Sequence, residues 1–264
     1  MSVINLEELT IIIPIYVDTP DRYNNAKSVL GYLNHNLKTN LIIHEIIDSE
    51  TKLDFLSDFK NLQIKHLTEF RSGGNYHRTR QLNEMLNIVT TKIVCNYDID
   101  VILPIDSYIE SYNKIMLGEY DIIYPYGNGQ YQKRINKTYN RDKFYELYDI
   151  NIIDDYDIWS AVCGHCFFIK TDSYKKIGGE NEKFIAYGPE DVERYERFEK
   201  FNLNLGRIDN YVYHFEHDRM EFSNYMNPNF TDNERLLSYI RSLNNEDLIN
   251  YYENLDYIKK YKFI

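Results

Sequence analysis

Two aspartates, Asp98 and Asp100, stand one residue apart at the end of an apolar run that begins at Lys92. Side chains two residues apart on a strand point to the same side, where two like charges repel each other. A divalent cation that also carries diphosphate oxygens would relieve this repulsion, because hard cations bind carboxylate and phosphate oxygens together. Taken alone, such a pair is more often two solvated turn carboxylates, so its interpretation depends on the rest of the chain.

A second acidic group, formed by Glu190, Asp191 and Glu193, follows Gly188 and Pro189 at the predicted start of a helix. Carboxylates in a first helical turn compensate the helix dipole, and this is sufficient to explain Glu190 or Glu193. A carboxylate held at a loop-to-helix junction is also well placed to act as a general base. The residues alone leave both interpretations open.

Four other residues are candidates for binding a ligand. His214 and His217 follow a short predicted strand, and neutral imidazole is a common metal ligand, although such a histidine is more often a surface or core residue. Arg78 lies at a predicted helix start, where a cation opposes the dipole, so a functional role and a solvated one are about equally favoured. Trp159 is the only tryptophan and is expected in the core, but its polar neighbours also suit a platform for a sugar ring.

The elements that would position these residues alternate between strand and helix in the first half of the chain, which predicts a largely parallel α/β sheet. Strands are predicted at 9–16, 41–47, 62–67 and 92–97. In open α/β sheets, ligands bind beyond the carboxyl ends of the strands. The polar strand ends at 14–18, at Asp48 and at 98–100 therefore predict a nucleotide crevice, formed in part by Pro14, Ile15 and Tyr16. Neither GxGxxG nor GxxxxGK[ST] occurs, which argues against a dinucleotide fold or a P-loop.

The second half of the chain is less regular. Residues 125–157 are polar and aromatic with weak periodicity, as expected of a loop or insertion. A strand is predicted at 161–170, a helix at 189–201 and a helical tail from 231 onward. We therefore expect one domain at 1–225 with a C-terminal helical extension at 226–264.

Composition limits the classes of function. The 264 residues carry a net charge of -11, whereas a general nucleic-acid binder would show a basic surface. Three cysteines do not indicate a disulfide framework. No apolar run approaches the roughly 20 residues that span a bilayer, and the N-terminus does not resemble a signal peptide. We expect a cytoplasmic protein of bacterial or viral origin; peripheral membrane contact stays open.

Five segments occur in a fixed order along the chain: 76–83 (YHRTRQLN), 98–104 (DIDVILP), 163–179 (CGHCFFIKTDSYKKIGG), 184–191 (FIAYGPED) and 213–219 (YHFEHDR). With the opening strand that contains Pro14, this order resembles the GT-A fold glycosyltransferases over residues 9–220. The resemblance is strongest to the β-1,4-galactosyltransferase-like group and its bacterial family-2-like relatives. It implies a GT-A (Rossmann-like), mostly parallel central sheet with flanking helices.

The resemblance also implies roles for individual residues. Asp100 and His214 would bind Mn²⁺ (or Mg²⁺), with Asp98 nearer the ribose or the metal shell. Asp191 would be the general base and Glu190 would hold sugar hydroxyls. The residues implied to contact the nucleotide are Pro14, Ile15, Tyr16, Asp48, Arg78 and Asp98. The residues implied or suited to lie near the donor or acceptor sugar are Trp159, Gly164, Tyr187, Gly188 and Glu190.

Three positions depart from the family pattern. Pro189 replaces the second glycine of the Gly-Gly-Glu-Asp block, which stiffens the turn. Tyr211 stands where a sulfur-bearing metal ligand is expected, so His217 could contribute to the metal site instead. The family's tryptophan is reduced to Tyr187, so the acceptor specificity does not carry over.

The function expected from the sequence is metal-dependent, inverting transfer of a hexose from a UDP-sugar to a glycan or glycoconjugate hydroxyl. Galactose and N-acetylgalactosamine are the first candidates for the transferred sugar. The alternatives are a retaining relative on the same fold, a nucleotidyltransferase that uses the aspartate pair, and a catalytically silent module that binds nucleotide sugars or glycans. The nucleotidyltransferase is disfavoured because the loop at 17–21 lacks a basic triphosphate-binding group.

Overall fold

The computed structural model describes residues 3–48, 53–71, 76–220 and 224–264. Its main sheet has seven strands: β1 (Ile4–Tyr16), β2 (Leu37–Ile47), β3 (Leu62–Phe70), β4 (Ile93–Tyr97), β6 (Ile122–Tyr124), β9 (Cys166–Lys170) and β10 (Leu205–Arg207). Their order is β10-β6-β9-β4-β1-β2-β3. The pairs among β1, β2, β3 and β4 are parallel, whereas β9 runs antiparallel to β4 and β6. The predicted α/β class with a mostly parallel sheet is confirmed.

Nine helices accompany the sheets in the described ranges: α1 (Pro20–Asn36), α2 (Arg78–Asn87), α3 (Ile105–Met116), α4 (Asp142–Leu147), α5 (Thr171–Lys176), α6 (Glu190–Lys200), α7 (Phe230–Ser242), α8 (Asn245–Glu253) and α9 (Asp256–Tyr261). The start of α1 shows why the chain turns immediately after β1. Thr19 accepts a hydrogen bond from the Arg22 backbone N–H at 3.3 Å, and Pro20 supplies a first-turn residue without an N–H to satisfy. This sharp entry keeps the end of β1 open on one side.

A second, four-stranded sheet contains β5 (Val101–Ile102), β7 (Gly129–Ile135), β8 (Tyr156–Ala161) and β11 (Val212–Phe215), in the order β5-β11-β7-β8. The segment 125–157, which we expected to be a loop or insertion, thus contains β7, α4 and the first two residues of β8. Its weak periodicity has a physical reason, since only two of the seven residues of β7 are buried. The register of β11 places His214 opposite Val101, directly after the aspartate pair.

The single strand expected at 161–170 is wrong. Ala161 ends β8 in the second sheet, and Cys166 begins β9 in the main sheet. The chain turns between them through Gly164 and through His165, whose φ of 66° lies in the left-handed region. A run of small and apolar residues therefore crosses from one sheet to the other, and the turn lies at the functional pocket described below.

The C-terminal helices α7, α8 and α9, which fall in the predicted extension 226–264, pack into the same buried core as the sheet. The segment after α9 approaches the core at Gly179, where a Cβ atom would lie 2.4 Å from Asn83 Oδ1 and 2.9 Å from the ring of Phe263. Gly179 also has a φ of 60°, so the position requires glycine for two reasons. Across the described ranges, no helix is both long and apolar enough to cross a membrane.

Candidate functional site

A pocket of about 310 Å³ opens beyond the carboxyl ends of β1 and β4, between the N-termini of α2 and α6. The predicted site residues that line it are Pro14, Ile15, Tyr16, Arg78, Asp98, Asp100, Gly164, Tyr187, Glu190, Asp191 and His214. The structure therefore brings the nucleotide, metal and catalytic candidates to one place. Sequence reasoning assigned no role to several other lining residues, namely Asp18, Arg22, Tyr76, Ile99, His165, Ala186 and Arg219.

Three predicted residues lie outside the lining. Asp48 is exposed and accepts a hydrogen bond from the hydroxyl of Tyr16 at 3.1 Å, so it contacts the pocket wall from behind. Trp159 is 49% exposed on β8, and the Arg134 guanidinium lies 3.7 Å from its ring centroid. Gly188 faces α7, because a Cβ atom there would lie 2.5 Å from the Asn233 side chain.

Asp100, His214 and His217 form a compact group whose potential ligand atoms all lie within 4.8 Å of one another. His217 Nε2 is 3.1 Å and His214 Nε2 is 3.7 Å from the carboxylate of Asp100. Burial would raise the pKa of Asp100, but the two imidazoles outweigh it and hold that pKa well below its usual range. The other nitrogen of His214, Nδ1, lies 3.4 Å from Glu216 Oε1, the kind of second partner that orients metal-binding histidines.

The two aspartates do not share one strand face, because β4 ends at Tyr97 and residues 98–100 form a turn. The backbone N–H of Asp98 donates to the carbonyl of His165 at 2.9 Å. Below the turn, the buried hydroxyl of Tyr97 donates to the Val101 carbonyl at 2.8 Å and lies 2.6 Å from that of Tyr108. The turn is thereby fixed, and each carboxylate meets its own cationic partner.

Arg78 is the partner of Asp98, and it connects the two acidic groups of the sequence. Its Nη2 donates to Asp98 Oδ1 at 2.6 Å. Its Nη1 lies 3.8 Å from Asp191 Oδ1 and 3.9 Å from Glu190 Oε1. The attraction of these three carboxylates outweighs the unfavourable helix dipole, which explains why the cationic Arg78 stands at the start of α2.

Arg194 lies beneath Asp191 and is almost completely buried. Its Nη2 donates to Asp191 Oδ1 at 2.5 Å, and its Nη1 donates to both oxygens of Glu180, at 2.9 and 3.0 Å. Asn96 on β4 donates to the same Glu180 carboxylate at 2.9 Å. The first turn of α6 is thus tied to the main sheet through a buried ion pair.

Glu190 and Asp191 are neighbours with opposite acid–base behaviour. Burial, with a contribution from the charge of Asp191, raises the pKa of Glu190 to about 8. For Asp191, burial is outweighed by the guanidinium groups of Arg194 and Arg78, which lower its pKa. The environment therefore favours a protonated Glu190 beside an ionised Asp191 at neutral pH.

The comparisons with known proteins agree with this geometry. A family model described as the N-terminal domain of galactosyltransferase matches residues 153–218, which include Gly164, Glu190, Asp191 and both histidines of the metal group. No curated protein matches the chain.

Solved structures extend the comparison to the whole fold. The structure of residues 1–349 of S. aureus TarS, in complex with UDP-GlcNAc, superposes with a TM-score of 0.63, covering 91% of this chain and 69% of that one at 12% identity. Full S. aureus TarS gives a TM-score of 0.59, with 94% of this chain and 44% of that chain covered at 12% identity. The catalytic domain of Drosophila β1,4-galactosyltransferase 7, with xylobiose, gives 0.48 at 11% identity and covers 82% of this chain and 72% of that one. The chain therefore has the GT-A fold of S. aureus TarS, and part of it matches a galactosyltransferase domain.

In this fold, the turn that precedes the acidic pair is held from two sides. The backbone N–H of Ala186, whose φ is 58°, donates to the Tyr76 carbonyl at 3.1 Å. On the other side, the buried Asn233 of α7 donates to the carbonyls of Ile185 and Tyr187 at 2.9 and 3.0 Å. The ring of Tyr187 stacks on that of Phe230, also in α7, with centroids 5.9 Å apart.

Sequence reasoning missed these supports. Asn233 and Phe230 are separated from the turn by more than forty residues, and the sequence predicted only a helical tail from 231 onward, with no contact to the turn. Arg194 offered one local signal, since it lies three residues after Asp191, a spacing at which helical side chains meet. His165 offered none, because it was counted within a buried strand.

Arg194→Met is expected to lower the free energy of unfolding by about 3–5 kcal/mol, because it leaves Glu180 buried without its cation. Arg241→Met is the matched control, since Arg241 is half exposed and pairs with Glu196 at the surface, where a loss of less than about 1 kcal/mol is expected. Urea denaturation of both variants measures the two losses. Equal losses would show that the buried pair does not stabilise the fold in this way.

Glu190→Gln removes an ionisation that burial opposes. Because the pKa of Glu190 is about 8 in the fold and 4.5 in its ordinary state, the folded chain holds this proton more tightly, and its stability falls as pH rises between these values. We expect the variant to unfold near the wild-type temperature at about pH 4.5 and several degrees higher at about pH 8.5. Asp191→Asn, where the pKa is lowered, should instead lose stability at neutral pH. If the unfolding temperatures of wild type and Glu190→Gln differ by the same amount at both pH values, the raised pKa assigned to Glu190 is contradicted.

Proposed function

We propose that this glycosyltransferase moves a hexose from a UDP-sugar to a glycan hydroxyl, in a metal-dependent reaction that inverts the anomeric centre. The observation that carries the proposal is that one pocket contains a metal-type group, Asp100 with two histidines, and an ionised carboxylate, Asp191. The metal-type group suits a diphosphate leaving group, and the ionised Asp191 suits deprotonation of an incoming hydroxyl.

The residues present fit a resident metal ion. Asp100 and His217 place oxygen and nitrogen ligand atoms 3.1 Å apart, and His214 Nε2 lies 3.7 Å from the same carboxylate. Two imidazoles beside one carboxylate suit Mn²⁺ better than Mg²⁺, which prefers oxygen ligands throughout. When bound, the ion would neutralise the negative charge of the departing diphosphate. His217 is thus proposed to supply the metal ligand that the family pattern expects from a sulfur-bearing residue at the position of Tyr211.

The wall formed by Pro14, Ile15 and Tyr16 is proposed to bind the uridine. Tyr16 stacks with Tyr76, with ring centroids 6.3 Å apart, and Asp48 holds the Tyr16 hydroxyl. Arg78 and Asp98 are proposed to contact the ribose and diphosphate side. S. aureus TarS, which shares the fold, is found in complex with UDP-GlcNAc, and this supports a UDP-linked donor.

Transfer would form a bond between the acceptor oxygen and the anomeric carbon while the bond from that carbon to the phosphate oxygen breaks. UDP leaves with the bonding electrons, and Asp191 takes the proton of the acceptor hydroxyl. Gly164 leaves room for the sugar, because a Cβ atom there would crowd Asp191 Oδ2 at 3.3 Å. Glu190, in its protonated form, is proposed to donate a hydrogen bond to a sugar oxygen.

The match to a galactosyltransferase domain supports galactose or N-acetylgalactosamine as the first donors to try. On the acceptor side, Tyr187 is the aromatic residue that lines the pocket, with Gly188 behind it against α7. Trp159 stays a candidate for a more distant part of a long acceptor, since it is exposed on β8 away from the lining.

Removal of the metal tests the proposal. UDP release from a panel of UDP-sugars, with saccharide acceptors and Mn²⁺, should be detected and should stop with EDTA. Anomeric NMR of the product then distinguishes inversion from retention. UDP binding without release from any donor would indicate a silent binding module, and a chain that binds no UDP in any condition would contradict the proposal.

The matched variants for this test are His217→Ala and His35→Ala. His217→Ala should weaken UDP binding in Mn²⁺ by about 10-fold or more, because it removes one nitrogen from the metal group. His35 is exposed on α1, and its replacement should leave that affinity unchanged. Equal affinities for the two variants would exclude His217 from the metal group.

Asp191→Asn should reduce the rate of transfer by about 10²–10⁴-fold, because the amide cannot accept the hydroxyl proton. The UDP affinity in Mn²⁺ should stay within about twofold of wild type, since Asp191 is not in the metal group. Isothermal calorimetry and single-turnover kinetics measure the two quantities. A parallel loss of UDP affinity would point instead to a structural role through Arg194.

A further inference from the structure

His165 lies in the pocket wall, in the turn that leads from β8 in one sheet to β9 in the other. Nothing in the proposed reaction uses it so far. The structure places it beside both functional groups: its ring centroid lies 5.7 Å from that of His214, and a Cβ atom on the preceding Gly164 would lie 3.3 Å from Asp191 Oδ2. In the described part of the chain, it is nevertheless outside the group that could hold a metal ion.

The backbone of His165 is held in a conformation that a side chain disfavours. Its φ of 66° is in the left-handed region, where a Cβ atom is too close to neighbouring backbone atoms. The turn is nonetheless fixed by three contacts: Asp98 N–H donates to the His165 carbonyl, Cys166 N–H donates to the Gly164 carbonyl, and the Tyr126 hydroxyl donates to that same carbonyl. Strain that the surroundings enforce in this way is concentrated at functional sites.

The position of the ring fits the sugar that is being transferred. The anomeric carbon must lie between the diphosphate, at the side of Asp100 and His214, and the base Asp191. A ring adjacent to both sides therefore borders the same space. An imidazole offers one N–H donor and one nitrogen acceptor, which matches the hydroxyl groups of a hexose. The edge-on contact with Tyr126, at 5.8 Å between ring centroids, fixes the orientation of the His165 ring.

We propose that His165 is a donor-specificity residue that hydrogen-bonds hydroxyl groups of the hexose in the nucleotide sugar. The inference rests on the proposed function, because it requires a nucleotide sugar in the pocket. It differs from a packing role, in which the ring would only fill space against Tyr126. It also differs from metal binding, since loss of the ring should leave the affinity for UDP intact.

The test is the contribution of the sugar to affinity, measured as the ratio of the dissociation constants of UDP and of each UDP-sugar by calorimetry with Mn²⁺. His165→Gly removes the ring and relieves the left-handed strain, so the variant should unfold at the same temperature as wild type or higher. We expect an unchanged UDP affinity and a ratio that falls by about 5- to 10-fold for the preferred UDP-sugar. His165→Asn, which tolerates this backbone and keeps a donor and an acceptor, should recover part of the ratio.

Asn202→Gly is the matched control, since Asn202 has a φ of 56°, is exposed and lies outside the pocket lining. It should relieve similar strain without changing the ratio. The inference is overturned if the ratio in His165→Gly stays at the wild-type value. It is also overturned if the wild-type ratio is one for every UDP-sugar. In both cases UDP binding still supports the proposed function. A parallel loss of UDP affinity also overturns it in favour of a structural role. Absence of UDP binding in the wild type overturns both.

Discussion

The buried guanidinium of Arg194 is the constraint on which the pocket depends. It meets Glu180 and Asp191 by hydrogen bonds and lies over the ring of Phe167, 4.6 Å from its centroid. A charge in this environment is tolerated only where its partners are complete, so the loop that carries Glu180, the strand β9 and the first turn of α6 must adopt one arrangement together. The orientation of the Asp191 carboxylate is therefore decided by contacts in the core.

Local pairing of charges would also let an acidic chain bind the diphosphate that the proposed function requires. The net charge is -11, yet the carboxylates of the pocket are paired locally: Asp98 with Arg78, Asp100 with two imidazoles, and Asp191 with Arg194. Glu190 has no cationic partner at hydrogen-bond distance, so burial and the nearby charge of Asp191 raise its pKa. Local pairing, and not the overall charge, sets the potential that an anionic ligand meets.

The strands β1 to β4 and the convergence of their polar ends were predictable, because buried parallel strands read as apolar runs and their carboxyl ends meet at one edge. The break between β8 and β9 was not, since a left-handed histidine leaves no periodic trace in a run of small and apolar residues. His217 could be proposed only as a substitute for a missing sulfur ligand. The contacts of Asn233 depend on a helix docked across the core, and no local pattern encodes such a pairing.

The metal group joins a residue near position 100 to two residues beyond position 210, through the pairing of β5 with β11. During synthesis the chain emerges from its N-terminus, so the walls that we assign to the nucleotide, including Tyr16 and Arg78, are made long before the histidines exist. A chain that ends before β11 lacks both histidines, and with them two of the three ligands proposed for the metal ion. The proposed chemistry would therefore depend on one of the last strands to be synthesised.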